Sequence, residues 1–246
     1  MHKFIDDTTI TEIIPKHHNS VMQIACSETE TFSYNNFMNI NTKKTKEMLL
    51  GSIARSTPDK LYINNLEIER VKKFKLLGIT INDKLKWNEH VDSICAKVNK
   101  RLYFLKKLRR ANMSGSDLLF YYKSIIRPVM EYACAVWHPG LTKSQSHSLE
   151  ALQRRAFRTI LSHNTDYSDA LFITGLPTLA DRREELTRRL FSQIQNPAHC
   201  LHYLLPNKRD PDTIAKLRHA HSYPIPTVKT TRYKKSFTIY SLEHFQ

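Results

Sequence analysis

Residues 88–110 read NEHVDSICAKVNKRLYFLKKLRR. Within them Val91, Ile94, Cys95, Val98, Leu102, Leu105 and Leu108 recur at steps of three and four, the spacing that lines up side chains on one stripe of an α-helix. The spacing predicts one long helix whose stripe faces a core, with Asn88 as its N-cap. The rest of its surface carries Lys97, Lys100, Arg101, Lys106, Lys107, Arg109 and Arg110, and no acid occurs between Asp92 and Asp117. The segment therefore specifies an apolar face that must be covered and a cationic face of one sign.

Two more amphipathic segments follow. Ser114 or Ser116 can cap a helix holding Leu118, Leu119, Tyr122, Ile125 and Ile126, with Pro128 limiting its end. Ser144 or Ser146 can start a third, with Leu149, Leu152, Ala156 and Ile160 as its stripe and Arg154, Arg155 and Arg158 on or beside the opposite side. Three such helices with short links make a small bundle over 87–165. Tyr103, Phe104, Phe120, Tyr121, Tyr122, Tyr132 and Trp137 fall at helical spacings that assign them to the core rather than to base-stacking platforms. Beyond Thr165, LADRREELTRRLF predicts one further helix, and Pro206, Pro211, Pro224 and Pro226 among many His and Lys residues predict a loop-rich basic region over 166–246.

Upstream, residues 1–86 read as mixed α and β. The stretch TFSYNNFMNINTKKTKEMLLG predicts a helix ending near Asn36 and then a strand. LYINNLEIERV places Asn64 and Asn65 between two apolar runs, and Asn tolerates the positive φ of a tight turn, so a β-hairpin is expected. FKLLGITIND reads as a β-branched strand closed by a turn at Asn82-Asp83, with Gly78 marking a bulge or a close backbone approach. The fold class is α+β.

The chain has 246 residues, 41% of them hydrophobic, enough for a core and too many for a disordered chain. Its formal net charge of +15 makes nucleic acid the first candidate partner and an anionic membrane surface the second. Four scattered cysteines, Cys26, Cys95, Cys134 and Cys200, argue against a disulfide framework or a CxxC zinc site and suit a reducing compartment. No apolar run reaches the roughly 18 residues of a membrane span, and the N-terminus lacks the apolar core of a signal peptide. A soluble intracellular protein, nuclear or cytoplasmic, is expected.

In order along the chain, these pieces resemble the reverse transcriptases of LINE-type, non-LTR retrotransposons, from the middle of the palm to the C-terminal region. FIDDTT, residues 4–9, looks like that family's F-A-D-D motif. MNINTKKTKEM is similar to the strand after the palm helix, and FKLLGITINDKLKWNEHV to the segment that supports the primer end and leads into the thumb. RLYFLKKLRR, IIRPVMEYACAVWHPG and LEALQRRAFRTIL are similar to the thumb and post-thumb blocks. The resemblance implies a partial palm of β-hairpins plus a helix over 1–86, a thumb-like helical domain over 87–165, and a partly helical basic C-terminal region over 166–246.

It also implies chemistry. Two Mg²⁺ ions, one on the attacking oxygen and one on the triphosphate, need carboxylates to hold them, and magnesium prefers hard oxygen ligands. By resemblance Asp6 is the metal ligand and Asp7 its weaker neighbour, while Lys44, or equally Lys43 or Lys46, matches a lysine near the nucleotide phosphates. From DDTT alone, an acidic helix start is the competing reading. The family's first palm aspartate and its fingers lie upstream of the matched blocks, and only Met1 to Phe4 and Ile5 precede Asp6. The expectation is a truncated fragment, inactive alone, which holds no Mg²⁺ tightly but retains affinity for an RNA/DNA duplex or other nucleic acid through Lys97, Lys100, Arg101, Lys107, Arg110, Arg154, Arg155 and Arg158. The alternative is a domesticated, non-enzymatic nucleic-acid-binding protein of the same descent.

Two metal-like patterns carry less. His90 and Asp92 form an HxD pair of the kind that binds iron in 2-oxoglutarate oxygenases, and KFKLLGITI resembles a segment of N-terminal extensions in AlkB-type dioxygenases. Residues i and i+2 of a helix point apart, however, and no strand-rich double-stranded β-helix follows, so the pair is not read as an iron site. In PAHCLH, His199, Cys200 and His202 lack a fourth ligand at zinc-finger spacing and read as chance clustering.

Overall fold

The first element is a short hairpin: β1 (His2–Phe4) lies antiparallel to β2 (Asp7–Thr9), with Phe4 opposite Asp7 and Asp6 in the turn between them. The computed structural model describes every position except residues 1, 5, 16–17, 52, 54–57, 162–164 and 217–220, which leaves Met1 and Ile5 of the acid-pair segment outside the described residues. It divides the chain into two units, Met1–Lys86 and Trp87–Gln246.

In the first unit, α1 (Met22–Asn35) begins where Glu12 accepts hydrogen bonds from Ser20 Oγ at 2.7 Å and from the Val21 N–H at 2.9 Å. The carboxylate thereby satisfies donors at the helix start, and these bonds hold its pKa below the usual value. The helix ends at Asn36, as its sequence suggests. The strand expected after it amounts to two residues, β3 (Lys46–Glu47). Asn64 and Asn65, at φ of 50° and 58°, join β4 (Tyr62–Ile63) to β5 (Leu66–Glu67) in the hairpin their left-handed tolerance predicts. β6 (Glu69–Arg70) runs parallel to β3, and two cross-strand ion pairs, Lys46–Glu69 at 2.5 Å and Arg70–Glu47 at 2.7 Å, accompany that short ladder. Cys26, Ile63 and Ile68 form the buried cluster, with Met22, Ile40 and Leu61 against it.

FKLLGITIND is not one strand. The chain folds back at Leu77 and Gly78, φ 45° and 87°, so that β7 (Lys73–Leu76) and β8 (Ile79–Asn82) pair antiparallel with Leu76 opposite Ile79. Gly78 is a turn residue rather than a bulge. A two-residue hairpin turn with positive φ at both positions favours Asn or Gly, and Leu at its first position hides the signal. The four ladders among the described residues are all two-stranded.

In the second unit, α2 (Asn88–Arg110) buries Val91, Ile94, Val98, Leu102 and Leu105 along the predicted stripe. Trp87, not Asn88, occupies the N-cap position; the Asn88 Oδ1 instead accepts from Gln145 Nε2 at 2.6 Å. α3 (Gly115–Tyr121) is capped by Ser114, whose Oγ accepts from the Asp117 N–H. Pro128 does not end this helix. A π-helical turn, Tyr122–Ile126, leads directly into α4 (Arg127–Glu131), where Pro128 sits in the first turn and its missing N–H costs nothing. The Arg101 guanidinium of α2 donates to the Ile125 carbonyl in that turn.

α5 (Cys134–Trp137) follows a left-handed residue, Ala133. α6 (Lys143–Ile160) starts upstream of both serines: Thr142 is its N-cap and forms a capping box with Gln145. The bonds Gln145–Asn88 and Arg155–Asn99 pair ascending positions on α6 and α2, so the two helices run parallel in contact. α7 (Tyr167–Thr174) is capped by Asp166 and stopped by Gly175 at φ 64°, and α8 (Leu179–Ile194) is the helix expected from LADRREELTRRLF.

The described residues of 166–246 belong to this unit. α9 (Pro211–Ala215) and α10 (Thr231–Lys234) are single turns, whereas α11 (Phe237–His244) lies on α8 and α5. Phe191, Ile194, Tyr223 and Leu242 form a buried cluster there. Two polar chains cross the interior. Gln153 accepts from the Tyr122 hydroxyl and donates to the Tyr167 hydroxyl and the Pro177 carbonyl, both at 3.0 Å, while Glu150 accepts from Tyr167 and from the Leu179 N–H. Arg183, fully buried, donates from Nε to His138 Nδ1 at 3.4 Å and from Nη2 to Ser146 Oγ at 3.2 Å. An arginine can only donate, so His138 accepts at Nδ1 and carries its proton at Nε2, facing Glu184 at 3.0 Å; Glu184 also accepts from Tyr240.

His90 stands edge-on between Trp87 and Trp137, with ring centroids 6.0 and 5.5 Å away. Gly140 abuts the same cluster: a Cβ there would lie 2.8 Å from Trp87 Cδ1 and closer still to Nε1. Gly140→Ala is therefore expected to destabilise the second unit by about 1–3 kcal/mol, whereas Gly115→Ala, with open space around its Cβ, should be neutral or stabilising by about 0.5–1 kcal/mol. Trp87 and Trp137 are the two tryptophans of the chain, so urea unfolding followed by tryptophan emission reads this unit directly; equal midpoints for the two variants would refute the steric account.

Burial first, and then the charge of Lys97, lower the pKa of His90 to about 4. The unfolded chain then binds more protons than the folded one between pH 4 and 6.5. Stability is complete above pH 6.5 and falls as pH drops through that window, by about 3 kcal/mol from this group. His90→Phe should flatten the decline in urea-unfolding free energy between pH 6.5 and 4; an unchanged slope would show that His90 is not its source.

Candidate nucleic-acid interface

The acid pair lies on the β1–β2 hairpin, Asp6 in its turn and Asp7 as the first residue of β2, both exposed. No helix begins at Asp6 or Asp7, so the helix-start reading of DDTT does not hold: the first helix among the described residues starts at Met22. The two carboxylates supply hard oxygen donors of the type magnesium takes. Among the described residues no group of three His, Cys, Asp or Glu side chains is arranged to hold a metal. Lys44 is exposed in a turn after α1, where its N–H donates to Asn41, and Lys43 is exposed beside it. Lys46 is committed to Glu69.

The basic residues divide by what they already hold. Arg101 is engaged with the Ile125 carbonyl, Arg155 donates to Asn99 Oδ1 at 2.8 Å, and the Arg154 guanidinium lies 4.7 Å from the Tyr167 ring centroid. Lys107 Nζ stands 4.9 Å from the centroid of Tyr103. Lys97, Lys100, Arg110 and Arg158 make no ion pair among the described residues, and all four are exposed. Because α2 and α6 run parallel and touch, with the Arg155–Asn99 bond between them, exposed cations of both helices give this unit a basic surface. Such a surface suits a phosphodiester backbone, whose charges release counterions on contact.

Several aromatic residues assigned to the core are not in it. Tyr122 and Trp137 are fully buried, but Tyr103 and Phe104 are each 55% exposed, and Phe120 and Tyr132 are exposed too. The signal was present in the sequence: at 100° per residue, positions 103 and 104 lie well away from the Val98–Leu102–Leu105 stripe that the same periodicity identifies.

The other metal-like patterns resolve into structure. His90 is buried while Asp92 is exposed, so the HxD side chains diverge. His199 Nδ1 accepts from the Leu201 N–H, and His202 Nδ1 lies 2.8 Å from the Ile194 carbonyl. Among the described residues no helix is long and apolar enough to cross a membrane.

Comparison with known proteins gives two likenesses. Residues 87–127, which span α2, α3 and the π-helical turn, match the family described as Alkylated DNA repair protein alkB homolog 8, N-terminal. Over 126 residues the chain is 30% identical to a probable RNA-directed DNA polymerase from transposon X-element of Drosophila melanogaster, an alignment covering 49% of this chain and 13% of that protein. No solved structure matches. The chain thus spans a small part of the curated relative, and the likeness supports a reverse-transcriptase relationship.

Proposed function

We propose that this chain descends from the reverse transcriptase of a LINE-type, non-LTR retrotransposon, with its first unit derived from the palm and its second from the thumb and adjoining helices, and that its own chemistry is nucleic-acid binding. The observation that carries this is the set of exposed cations on the touching helices α2 and α6, and the 30% identity over 126 residues to a transposon RNA-directed DNA polymerase supports the descent. The hairpin placement of Asp6 and Asp7 supports the palm assignment, since paired carboxylates at a tight turn can approach two metal ions together. Those two acids are not by themselves a two-metal site, and the 246 residues alone do not polymerise.

Two measurements test this. Purified chain with Mg²⁺, an RNA template and an annealed primer should give no extension; template-dependent extension abolished by Asp6→Ala would refute the inactivity. Binding to an RNA/DNA duplex should weaken steeply with salt, and the joint variant Lys97→Gln, Lys100→Gln, Arg110→Gln, Arg158→Gln should make the slope of log affinity against log salt shallower by roughly 3–4. Arg101 is left out because its loss would also free the Ile125 carbonyl. Wild-type affinity and slope in that variant would remove the interface.

A further inference from the structure

Lys100 and Lys107 are seven residues apart on α2, which puts them nearly on one line along the helix and roughly 10.5 Å apart. Tyr103 and Phe104 fall between them in height and on either side of that line, about 100° apart around the axis. Their rings are 5.6 Å apart between centroids with planes at 73°, and more than half of each is exposed. The opposite face of the helix is the buried stripe. Folding of the unit thus leaves both rings more than half in water, with Lys107 Nζ over one face of Tyr103 at 4.9 Å from its centroid, in a stretch with no acid from residue 93 to residue 116.

We infer that this stripe of Lys100, Tyr103, Phe104 and Lys107 binds single-stranded nucleic acid by stacking unpaired bases on the two rings while the lysines hold the flanking phosphates. The inference rests on the nucleic-acid reading above and specifies its substrate. Cations without acids select a polyanion. Flat exposed π faces add stabilisation only where the polyanion offers flat faces in return, which unpaired bases do and a duplex, with its bases stacked inside, does not. An anionic membrane is disfavoured by the same geometry: the continuous apolar face of α2 is buried in the protein, so two rings alone would enter the bilayer.

The test uses the full chain, with fluorescence anisotropy on an unstructured oligouridylate and on a blunt RNA/DNA duplex of equal length. Tyr103→Ala/Phe104→Ala should weaken oligouridylate binding roughly tenfold or more, with the salt slope unchanged, and leave duplex binding within about twofold. Tyr103→Trp/Phe104→Trp should retain oligouridylate affinity. Lys100→Gln/Lys107→Gln should weaken both probes and flatten both slopes. Both rings are half-exposed, and an unchanged thermal melt by circular dichroism verifies folding of each variant. Equal loss on the two probes, or loss on neither, overturns the inference while wild-type duplex binding keeps the broader reading intact. Loss of binding to phosphatidylserine vesicles with oligouridylate affinity unchanged also overturns it, in favour of a membrane surface. Failure of the wild type to bind either nucleic acid overturns both.

Discussion

The second unit depends on covering one stripe. Val91, Ile94, Val98, Leu102 and Leu105 of α2 need neighbours on more than one side, and α6 together with the α3–α4 segment supplies them. At about 1.5–3 kcal/mol per fully buried side chain, these five contribute of the order of 10 kcal/mol before entropy is counted. Surface charge interactions are worth a few tenths to about 1 kcal/mol each. The core therefore decides how α2 is oriented, and the cations go wherever the core leaves them. Where they stand is a consequence of packing, not of mutual attraction, which between like charges would be absent.

Polar bonds then fix details that apolar burial leaves loose. The π-helical turn at Tyr122–Ile126 lets the chain pass Pro128 without breaking, and Arg101 occupies a carbonyl in that turn. Gln153 uses both ends of its amide to join Tyr122, Tyr167 and the Pro177 carbonyl, so a wrong register of α6 would strand several buried groups at once. Arg183 does similar work further along. Burial pulls its pKa down, yet His138 and Ser146 receive its donors, and Glu184 links His138 onward to Tyr240 on α11. These links carry the order of the helical unit into the C-terminal segment, whose composition of prolines, histidines and lysines suggests loops.

The first unit is held differently. Its buried cluster is three residues with a few half-buried neighbours, and its described ladders are short and two-stranded. Tight turns with positive φ at Asn64, Asn65, Leu77 and Gly78 do much of the local specification. Gln23 clamps the Tyr62 backbone from α1, donating to its carbonyl at 3.0 Å and accepting from its N–H at 2.9 Å, in place of a neighbouring strand. The side chain thereby satisfies backbone groups that an open strand edge would leave unpaired.

The sequence by itself determined the α+β class, the long amphipathic helix and its buried stripe, the hairpin at Asn64-Asn65 and the one-sign charge of α2, because each is written in periodicity or in a residue whose backbone preference is strong. It did not determine where α3 continues past Pro128, which residue caps α6, or that FKLLGITIND doubles back, because the first involves a carbonyl held by Arg101 of α2, the second a choice among neighbouring hydroxyl residues, and the third a leucine at a positive-φ turn position. Nor did it assign Tyr103 and Phe104 correctly: an aromatic residue at helical spacing looks the same on any face until the partners of that face are known. Only the tertiary structure decided that α6 and the α3–α4 segment cover the stripe and leave those rings, and the lysines around them, facing water.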